Sequence, residues 1–201
     1  MVRFGIIRHA RTVWNLEKKI QGREDIALCR QGIDEAAHWG DILKFEKFSL
    51  IVSSPMIRAR QTSEIIAEKI GIDIAFDDNL REQDFGSWEG KKIADIRKDE
   101  PGIIEIQESR GWDFCPPEGE SRNSVLKRAL KAIRKATDIY DEHHVLVVTH
   151  NSVIKSILYS LMNNRTFTPD KTQVLKDYHL HMLTWKNKLK IEKLNHIRLQ
   201  Q

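Results

Sequence analysis

Cysteine is scarce in this 201-residue chain: Cys29 and Cys115 are the only two, and neither stands in a CxxC pair or a metal-ligand spacing. That argues against a disulfide scaffold or a cysteine-built metal centre and leaves reduced thiols, with a cytoplasmic location, as the expectation. No apolar run approaches the roughly 20 residues of a membrane-spanning helix, so no membrane association is expected. The amino terminus, Met1-Val2-Arg3-Phe4-Gly5-Ile6-Ile7, enters a short apolar run without the longer hydrophobic region and cleavage site of a secretory signal. Low-complexity stretches and internal repeats are missing too. Charge of one sign is barely in excess, with 33 Lys+Arg against 29 Asp+Glu and a formal net charge of +4. This tilt suits small anionic ligands. Without a stacking-aromatic platform or a recognition-helix pattern, it is no nucleic-acid footprint. Basic clusters at Arg58-Ala59-Arg60, Lys127-Arg128 and Lys186 to Lys193 read as solvated faces.

What is present is an ordinary globular composition, 40% hydrophobic and 31% charged, over a length that fits one domain spanning residues 1–201. Arg3 to Ile7 reads as a buried first strand, followed by a polar loop through Gln21-Gly22-Arg23-Glu24-Asp25. Helical periodicity runs from Gly32 to Phe45, and Leu50-Ile51-Val52 forms the next strand. Ser53-Ser54-Pro55 offers hydroxyl caps and a first-turn proline for a helix to about Lys69, with Arg58 in its first turn. Ile72 to Phe76 reads as a short edge strand, Leu80 to Gly90 as irregular, and Lys91 to Lys98 as a weaker helix. Ser121 or Asn123 caps a long helix ending near Tyr140. Val145 to Thr149 is a buried strand, Val153 to Met162 a helix, and His179 to Leu194 a hairpin turning at Lys186-Asn187-Lys188. The order predicts an α/β fold: a three-layer sandwich whose mostly parallel sheet carries helices on both faces and an antiparallel edge strand.

Three apolar runs lead into chemistry: the first ends in Arg8-His9, the second leads to Arg58 and the third ends in His150. The carboxyl ends of parallel strands form the ligand-binding edge of such sheets, so two imidazoles and two guanidiniums are expected to meet there. Phosphoryl transfer asks for positioning and positive charge around three oxygens, and arginine's planar fork supplies both. His9, fixed at a strand end beside Arg8, is the better nucleophile; its lone pair would attack phosphorus and form a phosphohistidine. His150 would donate to the transferring oxygens. A departing alkoxide needs a proton, and Glu82 and Asp84 both offer a carboxyl for it; spacing alone does not choose between them.

These same residues carry a resemblance. Ile7-Arg8-His9-Ala10-Arg11-Thr12-Val13-Trp14-Asn15, with Gln21-Gly22 downstream, resembles the opening of the histidine phosphatase superfamily, which includes the cofactor-dependent phosphoglycerate mutases. Further blocks follow in family order: Ser53 to Thr62, Leu80-Arg81-Glu82 with Phe85 to Gly90, Pro117 to Ser121, and Val148-Thr149-His150. The resemblance implies that His9 is phosphorylated, that Arg8, Arg58 and His150 form the phosphate pocket, and that Glu82 is the acid. It also implies that Asn15, Gln21 and Gly22 line the substrate's phosphate side. No metal or other cofactor is implied, and the expected partner is a small phosphate ester.

Departures from the family pattern are Ala10 and Asn151, each where glycine is usual, and Arg11, where an acidic or amide residue is common. A methyl at position 10 is harmless only if φ there is negative. Arg11 and Asn151 point to a more anionic or more polar substrate, Asn151 being counted with the substrate-binding residues. Only a modest segment separates Glu82 from His150, whereas the family's mutases carry a sizeable insertion there, which favours a phosphatase. The alternatives are a cofactor-dependent phosphoglycerate mutase and a non-catalytic module that binds a phosphorylated ligand. Lys91 to Pro117, with Trp112 and Phe114, is expected to form the flap over the site, its aromatics either packing locally or touching the substrate. Oligomeric state is not legible in the sequence.

Overall fold

The computed structural model describes residues 1–141, 143–162, 167 and 175–200. Its elements, in chain order, are β1 (Val2–Arg8), α1 (Val13–Leu16), α2 (Arg30–Leu43), β2 (Leu50–Ser53), α3 (Ile57–Ile70), β3 (Asp73–Phe76), α4 (Ile93–Asp99), α5 (Ile103–Ser109), α6 (Arg122–Ile139), β4 (His144–Thr149), α7 (Asn151–Leu161), β5 (His179–Trp185) and β6 (Leu189–Arg198). Six strands form one sheet in the order β3-β2-β4-β1-β5-β6. β1, β2, β3 and β4 pair in parallel, and β5 runs against its neighbours β1 and β6. The mostly parallel α/β sheet is therefore as expected. The reversed strand is β5, one in from the edge, while β6 is the edge itself.

Strands buried on both faces need apolar side chains on both, which explains the near-continuous apolar runs in β1 and β4. Alternate residues supply two cores. On one face Phe4, Ile6, Val145 and Val147 pack with Val125, Ala129 and Ile133 of α6 and Ile154, Ile157 and Leu158 of α7. On the other, Ile7, Leu146 and Val148 pack with Ala36, Trp39 and Leu43 of α2 and Ala59 and Ile66 of α3. A third, smaller cluster joins Trp88, Ile96, Ile104 and Phe114 beneath the segment expected to be a flap, which folds as α4, α5 and a single 3-10 turn at Gly111–Asp113. Among the described residues, no helix is long and apolar enough to cross a membrane.

Two local expectations are corrected. The polar stretch after β1 contains the short helix α1, whose Thr12 and Asn15 form a reciprocal capping box. The N-cap of α3 is Met56, without a side-chain cap, so neither serine nor a proline at the first helical position starts the helix. Instead the Ile57 N–H donates to Asp25 Oδ1 at 2.7 Å, a carboxylate brought from the loop after α1. Ser121, by contrast, caps α6 as its sequence suggests, accepting from the Ser124 N–H at 3.2 Å.

Register levels the strand ends. Arg8 of β1 lies opposite Thr149 of β4, and Ser53 of β2 lies opposite Val148. The ladder continues past the strands: the His9 N–H donates to Thr149 O, and the Ser54 N–H to Val148 O, both at 3.0 Å. His9, Ser54 and His150 are thereby fixed side by side by backbone hydrogen bonds.

Gly32, in the first turn of α2, lies so close to the loop after β1 that an added Cβ would run into the Arg11 carbonyl oxygen. Gly32→Ala is expected to lower stability by about 1–3 kcal/mol, as overpacking against rigid backbone does, read as a fall in the urea midpoint with an unchanged slope. An unchanged midpoint would contradict this close approach.

Candidate active site

His9, Arg58 and His150 have almost no exposed surface, yet each has polar atoms directed into the fold. Such burial costs free energy unless the groups are held by specific partners or await a ligand. Arg58 is held on one side: Nη1 donates to Glu24 O at 2.7 Å and Nη2 to Gly22 O at 2.8 Å. It is the second residue of α3, whose first N–H, that of Ile57, is already taken by Asp25. Arg58 Nε, Arg8 Nε and His150 Nδ1 are buried without partners among the described residues. The His9 and His150 rings stand 5.2 Å apart, tilted by 57°. Arg8, His9, Arg58 and Glu82 line a cavity of about 310 Å³; His150 is not among its lining residues and stands behind it, against the His9 ring.

His9 Nδ1 lies 2.7 Å from its neighbour's carbonyl oxygen, Ala10 O. Only a protonated nitrogen can meet a carbonyl, so Nε2 carries the lone pair. Burial, then the charges of Arg58 and Arg8, hold the His9 imidazole well below its ordinary pKa, and it is neutral at pH 7. Burial and Arg58 do the same to His150, with His9, Arg8 and Arg128 adding to it. Burial also lowers Arg58, to about 10, against the opposing pull of Glu82, which leaves the guanidinium charged at neutral pH. Two arginines and two neutral imidazoles make a cage suited to a phosphate dianion.

Glu82 follows a 3-10 turn at Asp78–Leu80 and is buried. Its Oε1 accepts from the Gln83 N–H at 2.9 Å and from the Ser152 N–H, at the start of α7, at 3.2 Å. Oε2 remains for a proton. Asp84, the other sequence candidate, turns its carboxylate back on its own loop, where Oδ1 accepts from the Gly86 N–H at 2.8 Å. The loop is clamped by Arg128 of α6, which donates to Asn79 O at 2.8 Å and Glu82 O at 3.0 Å, reaches Arg81 O, and pairs with Glu120 at 2.7 Å. Arg128 is therefore no part of a solvated face, although its neighbour Lys127 is exposed. Nothing in a basic helix distinguishes the two lysine and arginine positions except which one faces the loop. Buried Arg58 is likewise no solvated cation, while Arg60 beside it is exposed.

Of the residues expected to touch substrate, Gln21, Gly22 and Asn151 line the cavity. Gln21 Oε1 is buried without a partner among the described residues, and Gly22 has φ 51°, with Glu89 filling the space its side chain would take. Asn15 does not line the cavity; its Oδ1 accepts from the Thr12 N–H at 3.0 Å in the capping box. Arg11 also stands apart, pairing with Glu35 at 2.7 Å over the Tyr178 ring, and so adds no charge to the cavity wall. Ala10 is not in the left-handed region, its methyl lies in the core, and its N–H donates to Thr62 Oγ1 at 3.0 Å. The flap aromatics divide. Phe114 lines the cavity, and the Arg122 guanidinium lies 4.0 Å from the centroids of both its ring and that of Phe167; Trp112 packs against Phe167. Among the described residues, no group of three or more His, Cys, Asp or Glu is arranged to hold a metal ion.

Comparison with known proteins places the chain in a family. The profile described as "Histidine phosphatase superfamily (branch 1)" matches residues 4–196. Among curated relatives, a "Probable phosphoglycerate mutase GpmB" of Salmonella arizonae is 30% identical over 162 residues, 81% of this chain and 75% of the relative. An "Uncharacterized phosphatase PhoE" of Bacillus subtilis is 28% identical over 192 residues, 88% of this chain and 93% of the relative. Among solved structures, Bacillus stearothermophilus YhfR superposes with a TM-score of 0.86 at 25% identity, covering 100% of both chains. A phosphoserine phosphatase of Entamoeba histolytica, in complex with 3-phosphoglyceric acid, gives a TM-score of 0.82 at 25% identity over 99% of both chains. The level strand ends, the buried cationic cage and these matches lead to one conclusion: the chain belongs to the histidine phosphatase superfamily, branch 1.

Proposed function

We propose that the protein is a metal-independent phosphomonoesterase acting on a small phosphorylated metabolite through a phosphohistidine at His9. The observation that carries this reading is the His9 tautomer: with Nδ1 committed to Ala10 O, the Nε2 lone pair belongs to a neutral imidazole held among Arg8, Arg58 and His150. In the first step Nε2 attacks phosphorus, the phosphorus–oxygen ester bond breaks, and the leaving oxygen takes the proton of Glu82. In the second, Glu82 takes a proton from water as the water oxygen attacks phosphorus; the nitrogen–phosphorus bond breaks and inorganic phosphate departs. Arg8, Arg58 and His150 stabilise the charge on the three transferring oxygens, a task that metal ions perform in other phosphoryl-transfer sites. Names of relatives as phosphatases support the reaction class.

A mutase reading is favoured by the name of the Salmonella relative. The two differ in what meets the phosphohistidine, water or a returning phosphoester. With 3-phosphoglycerate and bisphosphoglycerate supplied together, a phosphatase releases inorganic phosphate, whereas a mutase yields the isomeric phosphoglycerate without net release.

His9→Ala is expected to lose at least about 10³-fold in kcat on a general aryl phosphate with EDTA present. Retained turnover would overturn the assignment of the nucleophile. Glu82→Gln should lower kcat/KM for an alkyl phosphate by about 10²–10⁴ while sparing a nitrophenyl phosphate, whose leaving group departs without a proton. Equal losses on both would remove Glu82 from the acid role.

The acid limb of kcat/KM follows from the depressed imidazoles. His9 must be neutral to attack, and since its folded pKa lies well below the ordinary value, protonation begins only as pH falls well past about 6.5. For a nitrophenyl phosphate, whose leaving group needs no proton from Glu82, kcat/KM is expected to show no acid limb centred at or above about 6.5; a limb there would contradict the burial of a neutral His9.

A further inference from the structure

Ser54 has no exposed surface and is not the helix cap that its sequence suggests. Its hydroxyl has two partners among the described residues. The Met56 N–H donates to it over a long 3.4 Å, and His150 Nε2 lies 2.8 Å away. The Ser54 peptide is itself fixed, its N–H on Val148 O and its carbonyl accepting from Ser53 Oγ at 3.0 Å.

Two tautomers of a neutral His150 satisfy the short contact, and they are not equivalent. If Nε2 carries the proton and donates to Ser54 Oγ, the hydroxyl proton has no acceptor among the described residues. Nδ1, buried and otherwise unpartnered, then turns a lone pair on the cage that is to hold an anion. If the hydroxyl instead donates to Nε2, it uses its lone pair for Met56 and its proton for His150, and the proton of the imidazole sits on Nδ1. Every donor and acceptor in the set is then used except Nδ1–H, a buried donor beside His9, Arg8 and Arg58.

We propose that Ser54 is a positioning residue that holds His150 in its Nδ1–H tautomer, so that this nitrogen donates to an oxygen of the transferring phosphoryl group. The inference rests on the phosphomonoesterase reading for its chemical meaning, but the tautomer is a property of the resting protein and is measured without turnover. It also accounts for a serine just after β2 whose hydroxyl neither caps α3 nor reaches solvent.

Nitrogen-15 NMR of the imidazoles in the unliganded protein at neutral pH separates the two forms, because a protonated ring nitrogen and a bare one resonate far apart. The expected spectrum shows His150 with Nδ1 protonated and Nε2 bare, its resonances assigned by their loss in His150→Gln. In Ser54→Ala the Nε2–H form should gain population. Affinity for vanadate, a mimic of the transferring group, should fall about tenfold or more, and Ser54→Thr, which keeps the hydroxyl, should restore both. A wild-type spectrum with Nε2 protonated would overturn the inference, whether or not the enzyme turns over and whether or not Ser54→Ala folds. So would a Ser54→Ala protein that keeps the wild-type tautomer and vanadate affinity. A protein with the expected tautomer but no esterase activity would uphold the role of Ser54 and count against the functional reading alone.

Discussion

Positive charge at Arg58 is buried, with a second guanidinium, that of Arg8, near enough to repel it. An isolated buried guanidinium is costly, and the fold around it is arranged to meet that cost. The loop after α1 turns at Gly22 so that two backbone carbonyls accept from Arg58, and the same loop sends Asp25 to the free N–H of Ile57 at the start of α3. The remaining valence of the cage, shared with Arg8 and the two imidazoles, is left for an anion. Keeping those imidazoles neutral follows from the same burial. Protonating either would add a third charge to a buried site that already holds Arg8 and Arg58.

Glu82, the proposed proton donor, is built on separate supports. Glu82 lies on a loop without regular structure, where a carboxylate would ordinarily wander, and three elements hold it. α7 offers the Ser152 N–H to Oε1, β4 ties the loop through Thr149 Oγ1, which donates to Leu80 O at 2.7 Å, and α6 contributes Arg128. Arg128 meets Glu120, which in turn lies 3.6 Å from Arg23 of the loop that seats Arg58. The loop that carries Glu82 and the loop that seats Arg58 therefore meet the same carboxylate. Positioning at this level is where much of a phosphoryl-transfer enzyme's rate resides.

The strand ends were legible because burial on both faces forces apolar runs, and the polar residue that ends such a run stands at the edge of the sheet. Arg8, His9 and His150 were found that way, and Arg58 from its place in a helix's first turn. The choice of Glu82 over Asp84 came only with the family resemblance. What was not legible depends on contacts between distant segments. Asp25 caps a helix that begins 32 residues later, and Ser54 meets a histidine 96 residues away. Arg128 looks like any cation on a basic helix until the loop it clamps is seen. Asn15 and Arg11, which motif position places toward substrate, also have local partners in Thr12 and Glu35 that the motif does not announce.

The central claim is that the lone pair of His9 Nε2 becomes the bond to phosphorus. Rapid acid-free quenching of the enzyme during turnover of an aryl phosphate, followed by phosphorus NMR and peptide mapping under alkaline conditions, tests it most directly. The account predicts a single phosphohistidine at His9 with phosphorus on Nε2, the nitrogen that Ala10 O leaves free. Phosphorus on Nδ1, on another side chain, or on no residue while turnover proceeds would contradict it.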